Sequence, residues 1–227
     1  MSKLGLAAEL KQRFTACNTK AEYAAIRKAI RAYGPLLFEN EMEALGVFSE
    51  GHIASEEKPF NPFARMIAGK MVNPCTKQLA READAEEFVL FRNKPENDDH
   101  WDDGSAKWLG TASMSKNHMF ISPKRNEWSV FNVATLGMGE NEPFLGECMN
   151  MLKRMRGAAL AFAEKNGWKN VFLGFHCYPF CTVNTLHMHV VDLDNLGPTF
   201  SHLAYKNLSV DDVLEVLEKE IIEAPLY

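Results

Sequence analysis

Nine residues, Val183 to Val191, constrain this chain more than any other stretch: Val-Asn-Thr-Leu-His-Met-His-Val-Val. The run is rich in β-branched residues and has neither Gly nor Pro, which predicts a strand. Side chains alternate across a strand, so Leu186, Met188 and Val190 share one face, beneath a covering helix, and His187 and His189 project from the other. A strand buried on both sides ordinarily carries aliphatics on both. Two imidazoles on one face therefore point to a site, against the plainer reading of packed or exposed histidines. The preceding residues, Gly174 to Thr182, add His176, the Thr182 hydroxyl and a turn punctuated by Gly174 and Pro179.

The 227 residues are enough to bury a sizeable core in one domain with an extension. Net charge is −5, which gives no global attraction to nucleic acid. The charge is uneven: residues 1–33 hold seven Lys/Arg and two Asp/Glu, a balance of +5 that leaves −10 on the rest. Five cysteines (Cys17, Cys75, Cys148, Cys177, Cys181) follow no paired-ligand spacing, so a reducing compartment fits better than a disulfide framework. Cys177 and Cys181 flank no second Cys pair, and no metal is expected. No apolar run reaches the roughly 18 residues of a membrane span. A cytoplasmic location is expected, with a nucleus or an organelle left open; Glu9 and Glu22 count against a transit peptide.

Helices are expected over residues 3–47. Leu4, Leu6, Leu10 and Phe14 suggest a first one. Thr19-Lys20-Ala21-Glu22 is a capping box opening a second, with Tyr23, Ile26, Ile30 and Tyr33 at helical spacing and Gly34-Pro35 at its end. Leu36 to Leu45 suggests a third. Their basic residues (Lys11, Lys20, Arg27, Lys28, Arg31) read as a solvated surface or as a docking face for an acidic partner or phosphates. Residues 49–59 read as a linker, and Asn61 to Gly69 as a short helix with Pro at its first turn. Phe88 to Asn93 reads as a strand. Residues 95–117, with Asp98, Asp99, Asp102 and Asp103 around Trp101, read as a solvated loop, a lid being the alternative. A long helix opens near Asn141 to Pro143, carries Phe144, Cys148, Leu152, Met155, Ala159 and Phe162 on one stripe, and closes at Asn166-Gly167. Lys169 to Gly174 pairs with the histidine strand, and Ser209 caps a final helix.

Thr185-Leu186-His187-Met188-His189-Val190-Val191 resembles the signature of the histidine triad (HIT) superfamily of nucleotide hydrolases and transferases, His-φ-His-φ-His-φ-φ with φ apolar. Thr185 replaces the first His. Gly174-Phe175-His176 followed by Pro179 and Thr182 looks most like the branch containing aprataxin and the scavenger-decapping-like proteins, and His118 to Arg125 is similar to the family's second signature strand. The resemblance covers about residues 60–195, and the family's Gly-Gly-Arg type of tail does not follow Asp192. It implies His187 as nucleophile; the chemistry then calls for His189 as a donor to the phosphoryl group, Thr182 as a hydroxyl donor, and His176 either protonating the leaving group or binding a phosphate, a structural His176 being the alternative. The nucleoside would lie against Phe63, Phe91, Arg92, Asn93 and Thr185, with Asn93 where the family carries an acidic ribose ligand.

The expected fold is α+β, a HIT-like antiparallel sheet of about five strands with packed helices. Residues 1–59 form a helical extension, 60–200 the nucleotide-binding domain and 201–227 a helical tail. The expected activity is release of a nucleoside monophosphate from a phosphoramidate, anhydride or dinucleoside polyphosphate through a nucleotidyl-histidine. The substrate is a purine nucleotide, no cofactor is needed, and a homodimer stays open. Nucleic acid is disfavoured by the acidic balance, though the basic N-terminal helices keep it in play; no membrane partner is expected. The alternative is a non-catalytic nucleotide-binding or protein-interaction module, favoured by Thr185, Asn93 and the absent tail.

Overall fold

The computed structural model describes residues 5–45, 87–124, 130, 132–138 and 145–223. The expected linker, the helix at 61–69 with Phe63, and the opening of the long helix at 141–144 lie outside them. The described elements are α1 (Leu6–Arg13), α2 (Lys20–Tyr33), α3 (Pro35–Leu45), β1 (Phe88–Arg92), α4 (Pro95–Asp99), β2 (His118–Pro123), α5 (Leu145–Lys165), β3 (Val171–Phe175), β4 (Met188–Asp192), α6 (Pro198–His202), β5 (Leu208–Ser209) and α7 (Val210–Glu223). The fold is α+β. Its strands form one antiparallel sheet in the order β1-β2-β4-β3-β5. No described helix is long and apolar enough to cross a membrane.

The register sorts side chains onto two faces. Leu90, Ile121 and Met188 line up across β1, β2 and β4, and Met119, Val190 and Leu173 across β2, β4 and β3. All six are buried with Cys148, Leu152, Met155 and Ala159 of α5, whose side chains recur along one helical stripe. Phe91, Phe120, His189 and Gly174 occupy the other face in a single row. Gly174 is required there, because a Cβ would come within 2.4 Å of both the Leu208 carbonyl oxygen and the Phe172 ring.

The N-terminal helices join the same core. Thr19 and Glu22 cap α2 reciprocally, and Tyr23, Ile26 and Ile30 on its apolar face are fully buried. Of the basic residues on these helices, Lys11, Lys20, Lys28 and Arg31 are exposed, as a solvated face predicts, and Arg27 is the exception. Arg27 has no exposed surface; it pairs with Glu220 of α7 and donates to the carbonyls of Ala134 and Leu136. Arg31 reaches the same Glu220, and Lys20 meets Glu215 one turn earlier on α7. Three of these basic residues, Lys20, Arg27 and Arg31, thus meet carboxylates of α7 in the same chain. Tyr178, in the turn after His176, donates to Glu41 of α3 and meets the Phe38 ring edge-on.

Residues 95–117 are not a solvated loop. They open as α4, bury Trp108 and Met114, and bond to the segment after β4: Gly110 N donates to Thr199, Gly197 N to the Met114 carbonyl, and Lys116 N to the Asn195 carbonyl. Trp108 stacks on His100, and Gly197 leaves room for the Trp101 carbonyl, which a Cβ would meet at 1.9 Å. Burial of the aromatic side chains outweighed the polarity of the aspartates around them.

Candidate active site

The histidine strand is shorter than its sequence predicts. Only Met188–Asp192 enters the ladder, and His187 stands on its approach. The reason lies in where the carbonyls go. Side chains take them: Asn132 Nδ2 donates to the Asn184 carbonyl at 2.7 Å, Ser122 Oγ to that of Leu186 at 2.7 Å, and the His187 ring to that of Thr185 at 2.7 Å. Backbone polar groups are satisfied without strand pairing, so this segment holds a fixed non-sheet path.

His187 and His189 nevertheless stay on one side of the sheet, with ring centroids 5.1 Å apart, and both meet the Phe120 ring edge-on. His176 lies 4.1 Å from His189, centroid to centroid, and His118 lies 5.3 Å from it on the other flank. Four imidazoles thus gather at the junction of β2, β3 and β4.

Hydrogen bonds assign their protons. A carbonyl can only accept, so His187 Nδ1 carries hydrogen toward Thr185 and Nε2 holds the lone pair. The Met114 amide donates to His118 Nδ1 at 3.2 Å, which places the His118 proton on Nε2. That proton points to His189 Nδ1 at 3.1 Å, and His189 therefore carries its own on Nε2. His189 Nε2 is buried and meets no acceptor, a donor held in reserve on the histidine face. His176 Nε2 donates to Asn207 Oδ1 at 3.0 Å; the Asn207 amide is oriented by donating to the Phe200 carbonyl.

Burial keeps the cluster neutral. It lowers His187 to about 4, against the upward pull of the Thr185 carbonyl and with the Lys206 charge adding to the depression. It lowers His118 to about 3, with His187 contributing. His189 and His176 fall well below the ordinary value, again chiefly by burial, then through His176 and Lys206 respectively. Near neutral pH this is a set of uncharged rings with fixed tautomers, which suits nucleophilic attack by one and hydrogen-bond donation by another.

The other expected site residues divide. Thr185 supports His187 through its backbone, while its buried hydroxyl has no partner. Phe91 stacks on Phe120 at 5.4 Å on the histidine face. Asn93 is half-buried with its amide engaged: Nδ2 donates to Ser113, and Oδ1 accepts from Asn97 and from the Lys94 amide. Arg92 points to the opposite face, where it borders a cleft of about 490 Å³ with Met119, Phe162, Trp168 and Asp192. Thr182 is exposed on the turn leading to His187 and is not drawn into the histidine cluster. His118, Met114, Asn207 and Lys206 were not singled out from sequence. His118 had a signal, since it lies two residues from Phe120 on the same face; the other three are placed by contacts remote in sequence.

No family model matches this chain, and no curated protein matches it. Among solved structures it is similar to a chain described as "Hit Like Protein", at 20% identity over 59% of this chain and 98% of that one, with a TM-score of 0.33.

Proposed function

We propose that this protein is a nucleotide hydrolase or nucleotidyl transferase of the histidine triad type, with His187 as its nucleophile. The observation that carries the reading is the pairing of His187 Nδ1–H with the Thr185 carbonyl beside the unpartnered His189 Nε2–H. His187 Nε2 attacks the α-phosphorus of a purine nucleotide. The new N–P bond forms as the bond to the leaving group breaks, whose electron pair departs with that group and is protonated by solvent. The ring becomes positively charged on phosphorylation, and the Thr185 carbonyl stabilises it through Nδ1–H. His189 donates to the phosphoryl oxygens as charge builds on them. Water then attacks phosphorus, the N–P bond breaks, a proton passes to solvent, and neutral His187 returns with release of the nucleoside monophosphate.

This account also explains how the chemistry tolerates Thr185 where the superfamily signature has histidine. The support comes from a backbone carbonyl, which any residue supplies. A location in the cytoplasm and an affinity for the aprataxin and scavenger-decapping-like branch belong to the same proposal.

One observation favours the non-catalytic alternative. Asn93, the expected ribose ligand, spends its amide on Asn97, Ser113 and Lys94, so a ribose must displace existing bonds. The test is intact-mass analysis and turnover with adenosine phosphoramidate and a dinucleoside polyphosphate. A nucleotidyl adduct on His187, absent in His187→Asn with turnover lower by several orders of magnitude, is the expected result. Nucleotide binding with neither adduct nor turnover would move the assignment to a binding module.

A further inference from the structure

We propose that Lys206 forms a subsite for the phosphate of an anionic leaving group, which makes phosphoanhydrides rather than phosphoramidates the preferred substrates. The inference rests on nucleotidyl transfer at His187. Lys206 is only 7% exposed, and its Nζ contacts a single oxygen, the Phe180 carbonyl, at 3.4 Å. Among the described residues no carboxylate pairs with it. Among the described residues the other buried Lys or Arg is treated differently: Arg27 is matched by Glu220 and two carbonyls. A buried ammonium without an anion is costly, and a bound anion removes that cost.

Its place in the sheet says which anion. One row of the histidine face runs Phe91, Phe120, His189, Gly174, Ser209, from β1 to β5. The nucleoside end of the proposed site is at Phe91, and the reacting phosphorus belongs at His187 and His189 in the middle. Lys206 lies three residues before Ser209, at the far end, next to the Asn207 that holds His176. Its charge is felt by His176, His187 and His189, each of whose protonated forms it disfavours. When the bond from the α-phosphorus to the bridging oxygen breaks, the electron pair stays on that oxygen. The leaving phosphate gains a negative charge, and Lys206 stands on the side where it appears. An amine takes the same electron pair but leaves neutral once a solvent proton has joined its nitrogen, and it draws no comparable benefit.

The test uses the full chain and inorganic tripolyphosphate. Calorimetry should show binding to the wild type, retained in Lys206→Arg and weakened about tenfold or more in Lys206→Met. Lys206→Gln, a donor without charge, is the second variant and should resemble Lys206→Met. Without ligand, Lys206→Met should melt at or above the wild-type temperature, since it removes a buried unpaired charge. In kinetics, kcat/KM of Lys206→Met should fall about tenfold or more further for diadenosine tetraphosphate than for adenosine phosphoramidate. Equal tripolyphosphate affinity in wild type and both uncharged variants overturns the subsite, as does no binding to the wild type. Equal losses on the two substrates overturn its assignment to the leaving group. Lys206-dependent binding without turnover or adduct on either substrate refutes the transfer chemistry and leaves an anion site.

Discussion

Replacing Arg27 with Met should strongly destabilise this protein. Met keeps much of the side-chain volume, so the effect isolates polar loss from cavity formation. Arg27 donates to Glu220 from Nε at 2.9 Å and Nη2 at 2.7 Å, and to the Ala134 and Leu136 carbonyls at 3.2 and 2.9 Å. Breaking a buried pair from one side costs about 3–5 kcal/mol, and each orphaned buried carbonyl about 1–3 kcal/mol. Arg31 remains on Glu220, whose side chain is 17% exposed, and this offsets part of the loss. These terms sum to about 5–11 kcal/mol, and with Arg31 kept on Glu220 the lower end, about 5 kcal/mol, is expected, or roughly 10–20 °C in melting temperature for a chain of this size. Thermal melts followed by circular dichroism measure it, and Glu220→Gln in a double-mutant cycle isolates the pair. A shift below about 3 °C would refute the inference that this buried network anchors the N-terminal helices. Acid should mimic the mutation. Burial alone would raise the Glu220 carboxyl, but Arg27 and Arg31 together outweigh it and hold it below its ordinary value. Its stabilisation is therefore present above the ordinary carboxylate range and lost as pH falls through the lowered value.

The buried histidines should make stability fall at milder acidity. Their folded values lie below the unfolded 6.5, so the unfolded chain takes up protons first and stability declines as pH drops from about 6.5 toward 4. At pH 5 the loss is up to about 2 kcal/mol for each of His118 and His187, measured by melts between pH 7 and 5; a flat profile would contradict their burial. On the proposed chemistry, the acid limb of kcat/KM should titrate near 4, because His187 stays unprotonated above it. A limb at 6.5 would assign the chemistry to an exposed group. Thr185→Val should leave turnover within about twofold and raise stability by up to about 1 kcal/mol, since the hydroxyl it removes is buried without a partner. A large loss of turnover would mean the side chain, not the carbonyl, supports His187.

Much of this molecule was legible in its sequence because the governing rules are local. Period-two alternation put Met188 and Val190 beneath α5 and His189 on the opposite face. The Thr19–Glu22 box, the glycine after Tyr33 and Ser209 marked helix ends, where the unpaired amides and carbonyls must find partners within a few residues. Tertiary structure decided what depends on register and on distant segments. Asn132 and Ser122 took the carbonyls of Asn184 and Leu186 and kept His187 out of the ladder, which no local propensity encodes. The apolar weight of Trp108 and Met114 drew an aspartate-rich segment inward, and the Met114 amide then set the tautomer of His118 and, through it, of His189. Arg27 looked like a surface charge because helical spacing gives an angular position but not what lies opposite; only the packing of α7 and the 133–136 turn buried it. Asn207 meets His176 for the same reason: β5 returns beside β3, and side chains about thirty residues apart in sequence become neighbours across one strand spacing.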